Sequence, residues 1–366
     1  MYGCDVKLEG ILIRTISRHE EGCGYAPAAD YEQNALVMKM LKDAMLLSTI
    51  HSRRLPNLLE CIGPTNAANL QAVEHQQSSK LAERSHGWML KQTQPFIFNT
   101  SNIWAIGTPS AGELKAHFFK TLSMYENNET VEALFEQMSL GNQPGYSPPA
   151  SLSLEIESKW PVMNKPSWVE DCKKTELTWT ISPTGSFVDV RLDMNGLGAL
   201  KVTATGRRLW LLWERGYPKK DASNVAKTQE YQFYETWLEA YGKEDTYDAT
   251  DMSEHTILHK LGAKINLPFI ATTSPGEGLF VPAYWAHCSW TLEAGYTASL
   301  PQTSYRAISF SSKLIRNVLH VLKLQKPNIG CAMSITLQVM DILTMMATIM
   351  TDEFYEDDIA QPMFGF

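Results

Sequence analysis

At about Thr175 the apolar residues of this chain change their period, and that change narrows the folds open to it. Before it, apolar positions recur at helical spacing, as in Leu36, Val37, Met40, Leu41, Ala44 and Leu47. Asp30 with Gln33 supplies a capping box ahead of that run. Helical patterns also cover about 66–82, 111–124 and 130–138, with a short strand at 94–99 and a Pro- and Gly-rich loop at 141–149. After it come short β-rich runs punctuated by Gly and Pro: 176–181, 187–192, 200–204 and 208–213, then 269–272, 278–281, 287–292 and 306–310. Thr205-Gly206 stands where a hairpin turn would join two of them. A helix is expected at 226–241, and two more close the chain at 312–324 and about 332–351. Runs of strands flanked by helices predict an α+β chain with a mainly β core, a barrel or sandwich with helical decoration. The expected organisation is a mostly helical region over 1–150, a β-barrel over 151–310 with a helical insertion at 221–262, and a helical segment over 311–366.

The chain has 366 residues, enough to bury a large core. A net charge of −8 disfavours sequence-independent binding to nucleic-acid phosphates. Short basic clusters such as Arg207-Arg208 and Arg215 with Lys219-Lys220 are not long enough for a nucleic-acid arm. The six cysteines include no Cys-x-x-Cys pair, which argues against a zinc ribbon or a thioredoxin-type motif. Residues 1–10 are charged where a secretory signal would be apolar, so an intracellular location, cytoplasmic or nuclear, is expected. Residues 331–350 are apolar, but Gln338, Asp341 and several threonines interrupt them, and a mid-span Asp costs a few kcal/mol in a bilayer. They read as a buried C-terminal helix rather than a membrane span, and as a surface through which a homodimer could form.

Two stretches carry the chemistry. The first runs from Gly185 through Ser186, Phe187, Val188, Asp189, Val190, Arg191, Leu192 and Asp193 to Gly196, and on to Gly206-Arg207-Arg208-Leu209-Trp210. The second is Pro275-Gly276-Glu277, then Phe280-Val281-Pro282, then Trp285-Ala286-His287. Together they resemble the JmjC branch of the Fe(II)- and 2-oxoglutarate-dependent dioxygenases, over roughly 176–310. The resemblance implies a double-stranded β-helix, the cupin-like jelly-roll barrel. It also implies an iron held by a His-x-Asp pair and a distal His, with 2-oxoglutarate anchored by a lysine on a later strand. Asp193 and His287 fall at the second and third ligand positions, and Arg191 falls at the first. Arginine is no ligand, because its guanidinium is cationic and has no free lone pair. An Arg191–Asp193 ion pair filling the vacated place is the expectation. Arg208 matches the cosubstrate lysine and can hold a carboxylate bidentately. Val188 stands where many relatives carry a Thr that touches the cosubstrate.

The resemblance therefore implies a JmjC-like protein impaired in Fe(II)/2-oxoglutarate oxidation that acts by binding an unidentified protein or small molecule. The alternative is an active dioxygenase, hydroxylase or demethylase, with a non-standard iron site; a third is an unrelated small acidic ligand in a pocket rich in Trp and Arg. Other arrangements carry less. His255 and His259 share a helix face but lack the His-Glu-x-x-His order. Gly196-Leu197-Gly198 lacks the third glycine of a dinucleotide loop. Cys288 adjoins His287, and neighbours on a strand face opposite ways. Phe233, Trp237 and Tyr241 lie on one face of the expected helix and read as core.

Overall fold

Among the described residues, eleven strands form two sheets whose outward faces, rather than their facing inner ones, carry most of the apolar burial. The computed structural model describes residues 35–43, 70–84, 88–101, 103–140, 153–164, 177–191, 193, 198–213, 268–283 and 285–302. The expected helix at 226–241, the insertion at 221–262, His255 and His259, the strand at 306–310 and the segment 311–366 lie outside the described residues. The strands are β1 (Gln71–Ala72), β2 (Phe96–Asn99), β3 (Leu154–Ser158), β4 (Leu177–Ser182), β5 (Phe187–Arg191) and β6 (Gly198–Thr203). After them come β7 (Arg207–Trp213), β8 (Phe269–Thr273), β9 (Glu277–Val281), β10 (Ala286–Glu293) and β11 (Gly295–Gln302). The described helices are α1 (35–43), α2 (Ser78–Ala82), α3 (Ala111–Leu122) and α4 (Asn128–Leu140). Among the described residues no helix is long and apolar enough to cross a membrane.

One sheet has the order β1-β8-β7-β10-β5 and the other β2-β9-β6-β11-β4-β3. From β4 to β11 the pairing is nested: β7 with β8, β6 with β9, β5 with β10 and β4 with β11, all antiparallel. Successive strands therefore change sheet at nearly every connection. The hairpin expected at Thr205-Gly206 does not form. That turn carries the chain across from β6 in one sheet to β7 in the other. The reason is a crowded crossing with the link between β10 and β11. A Cβ on Gly206 would lie 2.5 Å from the Ala294 carbonyl oxygen, and one on Gly295 would lie 2.0 Å from that of Thr205. Gly206 also has φ 76°, in the left-handed region where a side chain is costly. The two arches touch only because both positions are glycine.

Residues 66–82 carry a helical pattern, yet the described part holds β1 and then the short α2. Here β1 lies parallel to the edge strand β8, pairing Gln71 with Phe269, and Val73 donates to the Ile270 carbonyl. Hydrogen bonds to an open sheet edge outweigh a local preference worth tenths of a kcal/mol per residue. By contrast, α3 begins where Ser110 and Glu113 cap it reciprocally: Glu113 N–H donates to Ser110 Oγ, and Ser110 N–H to Glu113 Oε2.

The helices cover the outer faces. Val37, Met40 and Leu41 of α1 pack with Leu209, Leu211, Trp213, Cys288 and Trp290 outside the first sheet. Leu114 and Phe118 of α3 and Phe135 of α4 pack with Trp179, Leu200, Val202 and Ala298 outside the second. Between the sheets, a smaller apolar cluster of Ile97, Trp210, Leu212, Leu279, Val281 and Trp285 fills mainly the side near β8 and β9. The remaining inner positions are largely polar.

The crossing gives a direct test. Gly295→Ala should lower unfolding free energy by about 1–3 kcal/mol, the usual range for forcing an atom into a packed site. Gly112→Ala, in α3 with nothing within 4 Å of its added Cβ, should raise it by roughly 0.5–1 kcal/mol. Urea denaturation of both variants measures this, and a neutral Gly295→Ala would mean that the crossing is loose.

Candidate functional site

Strand alternation places the inner polar residues. Along β10, His287, Ser289 and Thr291 face inward, opposite Leu212, Trp210 and Arg208 of β7. Cys288 points the other way, into the outer core. Along β6, Lys201 and Thr203 face inward, opposite Ser299 and Thr297 of β11. His287 is also directly opposite Arg191 on β5, whereas the next inner pair is Ser289 with Val188. The register shift between them places an extra residue on β5, so Val188 and Arg191 both meet inward positions of β10 although they are three apart.

The carboxylate of Asp193 is the centre of the cluster. Lys201 Nζ donates to its Oδ1 at 2.5 Å, and His287 Nε2 lies 3.6 Å from the same oxygen. Lys201 also donates to Ser299 Oγ at 3.0 Å. The lysine side chain is 4% exposed and that of Asp193 14%. Arg191 turns away from this pair and bridges Glu155 of β3 at 2.7 Å, with side chains 38% and 46% exposed. Glu155 is opposite Thr180 on the inner face of the second sheet, so this ion pair spans the edge where β5 and β3 lie open. The expected Arg191–Asp193 pair is thus replaced by two pairs, Asp193 with Lys201 and Arg191 with Glu155. The physical reason is desolvation. A largely desolvated carboxylate favours a close, buried cation, and the longer Arg reaches a solvated partner.

Arg208 crosses between the sheets. It is 3% exposed, and its Nη2 donates to Ser182 Oγ at 2.7 Å and to the Thr180 carbonyl at 3.4 Å. Among the described residues no carboxylate lies within ion-pair distance of it. Burial, and then the charge of Arg191, pull its pKa down to about 9 against the raising effect of Glu155, so it is charged at neutral pH.

Three polar atoms near this cluster have no hydrogen-bond partner among the described residues: Asp193 Oδ2, His287 Nε2 and Thr297 Oγ1. His287 Nδ1 lies 3.3 Å from the Trp285 carbonyl, which can only accept. The proton is therefore assigned to Nδ1, and Nε2 presents a lone pair. Burial lowers the His287 pKa to about 4; Asp193 opposes this, and Lys201 and Arg191 add to it. For Asp193, burial raises the pKa, but the Lys201 ammonium, His287 and the lysine hydrogen bond outweigh it and hold the carboxyl at about 2. For Lys201, burial pulls the ammonium down while Asp193 holds it up, and the net direction is downward.

The residues do not fit the iron that the resemblance implies. Asp193 Oδ2 and His287 Nε2 are two free donors, but among the described residues no group of three His, Cys, Asp or Glu is brought together. An ammonium rests on the same carboxylate, and the residue at the first ligand position is a guanidinium. A divalent ion at Asp193 would face Lys201 across a few ångströms of low-dielectric interior. No family model matches the chain, and a comparison with curated proteins finds no match.

The sequence pattern does not single out Ser299 or Glu155 as site residues. Lys201 did carry a signal: it is the one charge in Gly198-Ala199-Leu200-Lys201-Val202, a run too apolar to have a solvated face.

These shifts fix a pH profile. Unfolded His287 takes a proton near 6.5 and folded His287 only near 4, so stability falls as pH drops between those values and levels off below. The loss is on the order of 3 kcal/mol at 1.36 kcal/mol per pKa unit. Asp193 adds a second loss from about 3.8 down toward 2. Denaturation midpoints measured from pH 7.5 to 4 should show the first loss, and His287→Asn should flatten it. An equal slope in that variant would place the titrating group elsewhere.

Proposed function

We propose that this chain is a JmjC-like double-stranded β-helix that is impaired in Fe(II)/2-oxoglutarate oxidation and acts by binding a carboxylate-bearing ligand between its sheets. The nested pairing of β4 to β11 supports the barrel, because that winding is the one a jelly roll requires. The observation that carries the functional reading is the Lys201–Asp193 pair. It puts a protein cation where oxidation chemistry needs a metal, while Arg208 remains buried without a carboxylate. A buried guanidinium with two neutral hydrogen bonds retains capacity for a planar, bidentate anion. Hydroxyls from Ser182, Thr291 and Thr203 share that inner surface.

The second reading, an active dioxygenase, rests on the two free donors Asp193 Oδ2 and His287 Nε2. Iron there would supply oxygen activation. For the residues themselves, this reading requires Lys201 to leave Asp193, which breaks a buried pair at a cost of about 3–5 kcal/mol.

Two measurements separate the readings. Calorimetric titration with Mn(II), anaerobic and with 2-oxoglutarate present, should show no micromolar binding. Tight binding that disappears in Asp193→Ala would instead favour the dioxygenase. Ligand-detected NMR with small carboxylates should show binding that falls at least tenfold in Arg208→Ala, about 1.4 kcal/mol for one charged anchor. Unchanged binding in that variant would remove Arg208 from the site.

A further inference from the structure

The two ends of the inner surface differ in what they ask of a ligand. At one end stands Arg208, opposite Thr291 on β10. At the other stand His287, Asp193 and Lys201. His287 and Thr291 are four residues apart on one strand, roughly 13 Å at ~3.3 Å per residue. The Arg208 head is held at Ser182 and Thr180 on the facing sheet, so a ligand that touches both ends bridges the gap with its own short aliphatic chain.

Charge comes first. Asp193 and Lys201 cancel one another whichever of them holds the shared proton. Arg191 and Glu155 cancel at the solvated edge. With the His287 proton on Nδ1 and Nε2 left as a lone pair, Arg208 is the one uncompensated charge among the described inner-facing residues. A single negative charge on the ligand balances it. A second would enter a desolvated space where the one nearby cation, the Lys201 ammonium, is already matched by Asp193.

Hydrogen bonding points the same way. The unsatisfied atoms at the far end, Asp193 Oδ2 and His287 Nε2, are both acceptors once the His287 proton is on Nδ1. A carboxylate brings only more acceptors to that end, and a buried acceptor left unpaired is costly. A hydroxyl or a primary amide brings the missing N–H or O–H.

From charge balance and the two orphaned acceptors together, we propose that the site takes a small monocarboxylate with a hydrogen-bond donor at its far end and rejects dicarboxylates. This rests on the binding reading given above, and it names the ligand class for that reading. It also separates the chain from cosubstrate use of 2-oxoglutarate, a dianion.

Three five-carbon probes test it: glutarate, its monoanionic amide glutaramate, and pentanoate, a monoanion without the distal donor. Affinities by calorimetry or ligand-detected NMR at pH 7.5 should rank the amide first, at least tenfold tighter than glutarate, with pentanoate between them. In Asp193→Asn, which removes the far-end negative charge and offers an N–H, glutarate should overtake the amide. A thermal melt confirms that this near-isosteric variant is folded. If wild-type protein binds glutarate as tightly as the amide, or if Asp193→Asn leaves the ranking unchanged, the selectivity proposal is wrong while the binding reading stands. If none of the three probes binds, or if binding ignores Arg208→Ala, the binding reading falls and the proposal with it.

Discussion

A carboxylate buried between two sheets must be compensated there, and the arrangement around Asp193 follows from that requirement. Lys201 supplies the compensation from β6, on the sheet facing His287 and Arg191. The pair can exist only because β6 presents Lys201 inward while Leu200 and Val202 turn outward beneath α3 and α4. Hydrophobic burial has thus been moved to the outside of the sandwich, under the helices, leaving the inside free to be polar. Without that covering, a polar interior would leave two sheets with too little apolar contact to hold them.

Much of this was legible in the order of residues. The change of period near Thr175 marked the β region, and most of the described strands fall where the short runs did. The turn Pro275-Gly276 and the strand ending at Val281 lie where they were expected. The site residues Asp193 and His287 are 3.6 Å apart at their nearest atoms, although nearly a hundred residues of chain separate them. Pattern alone could not have given that distance. It comes from the pairing of β5 with β10, a non-local contact that no local period encodes.

What the residues concealed was partnership. Arg191 two residues before Asp193, on the same strand face, suggests that the two would neutralise each other. The facing sheet offered each a better partner, Lys201 for the buried acid and Glu155 for the exposed base. Similarly, Thr205-Gly206 has the composition of a hairpin turn, and turn chemistry alone cannot tell a hairpin from an arch between sheets. The distinction lies in Gly295, nearly ninety residues on, whose missing side chain lets the two arches pass.

The nested pairing also governs how such a chain reaches its folded state. β7 and β8 are the innermost pair, yet residues 214–268 intervene between them. The outer pairs, β6 with β9, β5 with β10 and β4 with β11, enclose that segment in turn. None of these four contacts is local, so each must close a long loop before it returns any stabilisation. Doubling such a loop adds only about 0.6 kcal/mol to its closure, so the length of the 214–268 segment bears lightly on stability. It bears on rate instead, since high contact order places the chain among slow folders whose strand edges stay unpaired longest.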